Sequence, residues 1–426
     1  MPESAITLKI MGAVDELFDE LVDFTGELVK FPSLYGAEAT AQDFMAGELR
    51  GRGFEVDRWA IDEAAIRHLP GFSPPVRAYD GAWNVVGVKR AAAPKGRSLI
   101  LNGHIDVVPE GPVEMWSTPP YEPHLEGGWL QGRGGGDMKA GLGSALYALA
   151  ALERAGYRPA ADVTLQSVIE EECTGNGALA CLARGYRADA ALIPEPMDEA
   201  VITAQVGVIW FQVAVRGTPV HVATAGTGAN AIEAAYRLVE ALHGLEARWN
   251  ADQARYPEFA DVDHPINLNV GKIAGGDWAS SVPAWCTFDV RVGLYPGVDL
   301  MEARGEIEAA VRDAARADPF LANAPPEVRF QGFQAEGYVL SGAEEPMAVL
   351  GQAHREVFGT ALEGTVMLGT TDARFFGLYA GIPALVYGPK ALNIHGFDER
   401  VELESLRRVT QSIALFVADW CGLEAA

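Results

Sequence analysis

Two hydrophobic patterns alternate along the chain. Apolar residues recur at helical spacing from Val14 to Lys30, which predicts a helix. The stretch "SLYGAEATAQDFMAGELRGRGFEV" reads as a loop, then a helix closed by Gly53, then a strand. Trp59 to Trp83 is Pro-rich and irregular, as expected of an excursion over the surface. Beyond it come short apolar runs that read as strands: "NVVGVKR", "SLILNGHIDVV", "DVTLQSVIEEE" and "AALIPEP". Between them "MKAGLGSALYALAALERAG" and "GNGALACLARG" read as helices. This alternation predicts a layered α/β domain with a mainly parallel sheet.

The pattern changes near Val201. "VITAQVGVIWFQVAVRG" alternates like a two-sided antiparallel strand pair. "PINLNVGKIAGG", "PAWCTFDVRVGL" and "EVRFQGF" read as strands, and "NAIEAAYRLVEALHGLEA" and "LMEARGEIEAAVRDAARAD" as amphipathic helices. Four antiparallel strands and two helices make an α+β insert of ordinary domain size. The α/β style resumes with "EEPMAVLGQAHREVFG" (helix) and "GIPALVYGP" (strand). The expected division is therefore 1–204 with 334–426 as one domain, and 205–333 as a second inserted into it.

Composition narrows the classes. The chain has 426 residues, 49% of them hydrophobic, ample for large cores. A formal net charge of -25 argues against nucleic acid and anionic membrane as partners, since both select a basic face. Cys173, Cys181, Cys286 and Cys421 are scattered with no CxxC pair, so neither a zinc ribbon nor a disulfide framework is signalled. Reduced thiols in a cytoplasmic protein are the simplest reading. The first residues, "MPESAITLKIMGAVDELFDE", carry acids and no long apolar core, unlike a secretory signal. No segment approaches the roughly 20 uninterrupted apolar residues of a membrane span.

Chemistry-bearing residues cluster at strand ends. "LILNGHID" closes on His104 and Asp106, which share a face of extended backbone. "VTLQSVIEEE" ends in Glu170, Glu171 and Glu172; "ALIPEP" ends in Glu195; "GIPALVYGP" leads to a loop bearing His395 in "NIHGFDERV". Asp137 lies on the Gly-rich turn "GRGGGDMKAG" that opens a helix. Open α/β sheets place their sites outside the carboxyl ends of strands, so these groups should crowd one edge. Each alone has an ordinary explanation: a solvated acidic turn, a surface histidine, a helix entry. Together, so many carboxylates at one edge repel unless cations neutralise them. Two histidines and four or five carboxylates suit a pair of divalent ions held through N and O.

These motifs, in this order, resemble one family. "GHIDVVP", "GRGGGDMKAG", "EEE" before "TGNGA", "PEP", "GTPVHVA" before "NAIEAA", and "HGFDERV" are similar to those of the co-catalytic dizinc amidohydrolases. That family includes acetylornithine deacetylase, succinyl-diaminopimelate desuccinylase, aminoacylase and glutamate carboxypeptidase. The resemblance spans essentially the whole chain. It implies that His104 and Glu195 hold one ion, that His395 and Glu172 hold the other, and that Asp137 bridges them. Asp106 would orient His104, and Glu171 would be the general base. Zinc is the first choice of metal, with cobalt or manganese as alternatives. His221, in the insert, resembles the family histidine that reaches an active site to stabilise the oxyanion, often that of a dimer partner. A homodimer through the insert is accordingly expected.

The resemblance also gives a substrate side. Arg291 in "FDVR" resembles the arginine that grips a substrate carboxylate. "GTTDARFF" is similar to a loop of the deacylase branch, with Ala373 where glycine is usual, making Thr370, Asp372 and Arg374 candidate substrate-side or supporting groups. Ser281 stands where the family usually has asparagine, and Glu170 where aspartate is commoner. The implied activity is metal-dependent hydrolysis of an amide in a small N-acyl amino acid or related molecule. A dipeptidase or carboxypeptidase shares the same apparatus, and Ser281 leaves room for another C–N bond, such as an aryl-amine or a formamide. A relative that binds without turnover would lack the base or a ligand; here every one of those positions is filled.

Overall fold

The computed structural model of the chain describes residues 3–426. It opens with a helix, Glu3–Val29. That helix begins well before Val14, because Ile6, Ile10 and Met11 carry the apolar stripe back towards the N-terminus and pack on the main core. Strands β1 (Glu55–Ala60), β2 (Trp83–Lys89), β3 (Leu99–His104), β4 (Val163–Val168) and β5 (Ala190–Ile193) follow. The chain then leaves this layer for β6 (Gly207–Arg216), β7 (Leu268–Gly275), β8 (Trp285–Leu294) and β9 (Glu327–Ala335), and returns with β10 (Ala384–Val386).

The order β1-β2-β4-β3-β5-β10 makes a six-stranded sheet. β3 runs parallel to β4 and β5, and β5 to β10; β2 is antiparallel to both β1 and β4. β3, β4 and β5 are buried along their whole lengths, which is why they read as continuous apolar runs. Helices Ala140–Arg154 and Leu403–Cys421 lie against β3 and each other, and Glu3–Val29 packs on both helices. Two glycines allow a close approach around Glu195. A Cβ on Gly141 would sit 2.0 Å from the Pro194 carbonyl oxygen, and one on Gly388 would sit 2.0 Å from that of Glu195. The helix after Asp137 and the loop after β10 therefore both close on the backbone that carries Glu195.

β7, β8, β6 and β9 form, in that order, an antiparallel four-stranded sheet. Helices Ala231–Ala251 and Leu300–Ala317 pack together over it. Each is started by a side-chain cap: Asn230 accepts the N–H groups of Ile232 and Glu233, and Asp299 those of Met301 and Glu302. This unit has its own apolar core, separate from that of the larger sheet. The fold is thus mixed α/β with a mainly parallel sheet and separate antiparallel sheets.

One expected pairing is corrected. Val201–Gln205 and β6 do not form a pair. Val201–Gln205 pairs with Tyr338–Val339 and, in parallel, with Gly364–Met367, while β6 pairs with β8 and β9. Val206, fully buried, separates the two strands. Alternation reports which faces are covered and leaves the neighbour unspecified. Trp59 also belongs to β1 rather than to the excursion. The remainder of the excursion returns to β9, where Gly332 N–H donates to the Pro74 carbonyl at 2.9 Å and Gln334 N–H to Ser73 Oγ at 3.0 Å. All four cysteines are buried and unpaired. Among the described residues, no helix is long and apolar enough to cross a membrane.

Candidate active site

The carboxyl ends of β3, β4 and β5 and the loop after β10 meet at one edge. His104, the last residue of β3, is 1% exposed. Its Nδ1 lies 2.9 Å from the Asp106 carbonyl oxygen. A carbonyl can only accept, so Nδ1 carries a proton and the ring is turned to present Nε2 to the sheet edge. That Nε2 faces acceptors alone: Asp137 Oδ1 at 3.1 Å, Glu195 Oε1 at 3.8 Å and Glu171 Oε2 at 4.0 Å. On the other side, His395 Nε2 lies 3.1 Å from Glu172 Oε1 and 3.4 Å from Asp137 Oδ2. Asp137 therefore offers one oxygen to each histidine.

Local sequence explains each placement. Gly134, in the left-handed region at φ 76°, starts the turn that brings Asp137 to the sheet edge. Glu170 takes the left-handed region at φ 65°, and so turns the chain out of β4 and points its two successors at the edge. The Asp106 carboxylate accepts from the N–H groups of Glu171 and Glu172, at 3.3 and 3.1 Å. Asp106 thus touches His104 mainly through its carbonyl, and its carboxylate fixes the turn that bears the candidate base.

The electrostatics call for a cation. Burial pushes the Glu171 and Glu195 carboxyls well above their usual range, although His104 opposes it. Burial likewise raises Asp106 to about 6 and Asp372 to about 7. Glu171 Oε1 and both Asp372 oxygens are buried without a hydrogen-bond partner, a costly arrangement unless something else is bound. His104, Glu171 and Glu195 bring ligand atoms within 4.8 Å of one another, and so do His104, Asp137 and Glu172. Nitrogen and carboxylate oxygens of this kind fit divalent ions such as Zn, Co or Mn. The residues present therefore fit a metal centre.

The centre opens into a cavity of about 610 Å³ between the two sheets. Arg291 lines it. Its guanidinium donates to the carbonyls of Asn267 at 3.1 Å and Leu368 at 2.7 Å, and among the described residues no acid pairs with it. Burial lowers its pKa to about 10. Thr370 is also on the wall, its hydroxyl accepting from Gln205 Nε2 at 3.2 Å. Asp372 and Arg374 are not on the wall. Both are buried, and Arg374 donates to the Thr174 carbonyl at 2.9 Å and stacks over Phe375. They can only support the site. His221 is not gathered in: it is exposed, outside the cavity wall, its Nδ1 accepting from Ala223 N–H at 3.1 Å. Ser281 pairs with it across a backbone bridge.

Several contributors have no motif of their own. Trp210 and Phe333 stand edge to face, ring centres 5.2 Å apart, on the cavity wall. Asp289 also lines it, and its place two residues before Arg291 on one strand face was the available signal. Glu170 is tied down by Tyr79 Oη at 2.7 Å and Thr174 Oγ1 at 2.5 Å.

Residues 100–419 match the family described as Peptidase family M20/M25/M40. The chain is 31% identical to an N-formyl-4-amino-5-aminomethyl-2-methylpyrimidine deformylase of Bacillus subtilis, over 96% of each chain. It is 27% identical to a succinyl-diaminopimelate desuccinylase of Stenotrophomonas maltophilia, over 91% of this chain and 95% of the other. The dipeptidase Dug1p of Saccharomyces cerevisiae superposes with a TM-score of 0.80 at 14% identity, over 97% of this chain and 98% of that one, a likeness of fold.

Proposed function

We propose that this chain, which belongs to the peptidase family M20/M25/M40, hydrolyses the amide of a small N-acyl amino acid or related molecule with the help of two divalent ions. The observation that carries the two-ion reading is Asp137, whose oxygens face His104 at 3.1 Å and His395 at 3.4 Å. His104 and Glu195 would hold one ion, and His395 and Glu172 the other, with Asp137 shared; zinc is the first choice, cobalt and manganese the alternatives. Bound divalent cations supply Lewis acidity to the amide carbonyl and make a water acidic enough to attack at neutral pH.

The protein's own groups do the rest. Glu171 accepts the proton of the attacking water and returns it to the departing nitrogen. Asp106 fixes both the His104 ring and the backbone of Glu171. Arg291 takes the substrate's carboxylate or another acceptor, with Thr370 beside it. Asp372 and Arg374 stiffen the floor.

Residues 205–333 would act as a lid that pairs with a second copy. β7 is an outer strand of its sheet, and Ile273 and Trp278 are 50% and 73% exposed. An open edge with bare apolar side chains favours closed pairing. His221, exposed and outside the cavity wall of its own chain, would then donate to the oxyanion in the partner's site.

A second reading has a specific observation behind it. The Trp210–Phe333 wall suits a flat ring, and the Bacillus subtilis relative is named a formyl-aminopyrimidine deformylase. A formamide of a heteroaromatic methylamine is the substrate on that reading. The test is a metal-loaded assay against N-formyl, N-acetyl and N-succinyl amides, including a pyrimidine formamide, and dipeptides. Cleavage of none of these, by protein shown to carry metal, refutes both readings.

A further inference from the structure

The two histidines of the centre are held in unlike ways. His104 ends a buried strand, and its ring is fixed by a carbonyl 2.9 Å from Nδ1. His395 sits on a loop, its side chain 53% exposed and its φ at 60°. Among the described residues nothing accepts from its Nδ1. A metal-binding histidine ordinarily donates its other N–H to a partner that fixes the ring. Here the orientation has to come from the backbone of the loop.

That backbone is gripped by a buried ion pair with no part in the proposed chemistry. Arg133 and Glu399 are each 1% exposed. Arg133 Nη2 donates to the carbonyl of Gly396, the residue after His395, at 3.0 Å. Arg133 Nη1 donates to Glu399 Oε2 at 2.5 Å. The other oxygen, Oε1, accepts the N–H groups of Gly136 at 3.0 Å and Asp137 at 2.9 Å. A Cβ on Gly136 would lie 2.8 Å from Ala391 Cβ, so glycine is what lets the turn come this close. The loop has a second anchor, Asp398, which accepts from Ser117 N–H at 2.8 Å. Arg133 ties the backbone beside His395 to the Glu399 carboxylate and through it to the Asp137 backbone, above a main-chain link in which Gly132 N–H donates to the Glu399 carbonyl at 2.9 Å. A buried ion pair is a poor source of stability compared with apolar packing, so its use here points to geometry.

We infer that the Arg133–Glu399 pair is a positioning clamp. It holds the His395 loop in register with the Asp137 turn, and so sets the affinity of the ion on the His395 side. The ion on the His104 side, whose histidine is fixed by strand β3, feels the clamp only through the shared Asp137 and so depends on it less. The inference rests on the two-ion reading above.

The test is metal titration against a chromophoric chelator, with zinc, on the full chain. Arg133→Lys keeps the charge and gives up the fork that reaches two acceptors. Glu399→Gln keeps the size and removes the charge. In both, one equivalent should weaken by about 10–100-fold, the usual scale for supporting groups of metal ligands, and the other by much less. The decisive comparison adds Arg133→Lys to His395→Ala. If the clamp acts through His395, the remaining ion binds nearly as well with Arg133→Lys as without it. Two unchanged equivalents in the single variants would overturn the clamp, and so would equal weakening of both ions. Loss of cooperative thermal unfolding in both single variants would also overturn it, since the pair would then be a pillar of the core. If the parent protein itself takes up fewer than two ions, the two-ion reading fails, which is a different result.

Discussion

Glu172 Oε1 lies 3.1 Å from His395 Nε2, although the two residues are 223 positions apart. One follows β4 and the other follows β10, two strands that are not neighbours in the sheet. They meet because both leave the same sheet edge. The contact leaves a proton in place: Glu172 above all, against burial, holds the His395 imidazolium up to about 11.

That proton gives the first prediction. An ion bound by His395 has to displace it, so metal uptake should release protons and affinity should rise with pH. Calorimetric titration in buffers of different ionisation enthalpy measures the release. Uptake with no proton exchange would show that His395 is not a ligand.

The second prediction separates base from ligand among adjacent glutamates. Glu171→Gln should keep its metal and fold but lose kcat by about 10²–10⁴, because a proton carrier is removed and the shape is kept. Glu172→Gln should instead lower metal affinity. The check pairs metal analysis with turnover at saturating substrate. Near-parental turnover in Glu171→Gln would remove it from the role of base.

The third concerns the smaller sheet. Burial tends to raise the Glu246 carboxyl, but hydrogen bonds outweigh it: from His243 at 2.8 Å, His264 at 3.0 Å and Leu268 N–H at 2.7 Å. The net shift is downward from 4.5. A carboxyl depressed in the folded state stabilises above its unfolded pKa, and that stability is lost as pH falls through the folded value. Glu246→Gln should therefore lower Tm at neutral pH and flatten the loss of Tm on acidification below about 4.5. Parallel Tm–pH curves for the two proteins would contradict this.

How much of this was legible follows from what each signal encodes. β3, β4 and β5 announced themselves, since strands buried on both faces need unbroken apolar runs. The acids and histidines at their ends followed from topology, because parallel strands deliver their carboxyl ends to one edge. Val201–Gln205 misled because alternation is a property of one strand, whereas pairing belongs to two. Asp372 and Arg374 sat in a motif yet lie behind the cavity wall; depth is set by the packing of Phe375 and Thr174 around them, which no spacing records. Trp210 and Phe333 come from different strands of the second sheet, and only its register brings their rings together.

The last prediction concerns His221. It caps the exposed turn that begins at Val222, its Nδ1 accepting from Ala223 N–H, and it is not among the residues that line the cavity. Two routes could deliver it to an oxyanion: closure of its own lid, or a neighbouring subunit. The exposed edge of β7, with Ile273 and Trp278 bare beside it, favours the neighbour. Subunit mixing distinguishes the two. A His221→Ala chain and a Glu171→Gln chain should each be nearly inactive alone. In a mixed dimer with the histidine acting in trans, one site combines the Glu171→Gln substitution with the His221→Ala substitution, and the other has both groups intact. Random exchange makes about half of the dimers mixed, and each mixed dimer has one working site, so activity should return to roughly a quarter of the parental value. If His221 serves its own site, every site in the mixture lacks one group and nothing returns. Exchange is followed independently by a fluorescent label on each chain; complete exchange without recovery assigns His221 to its own subunit or to structure alone.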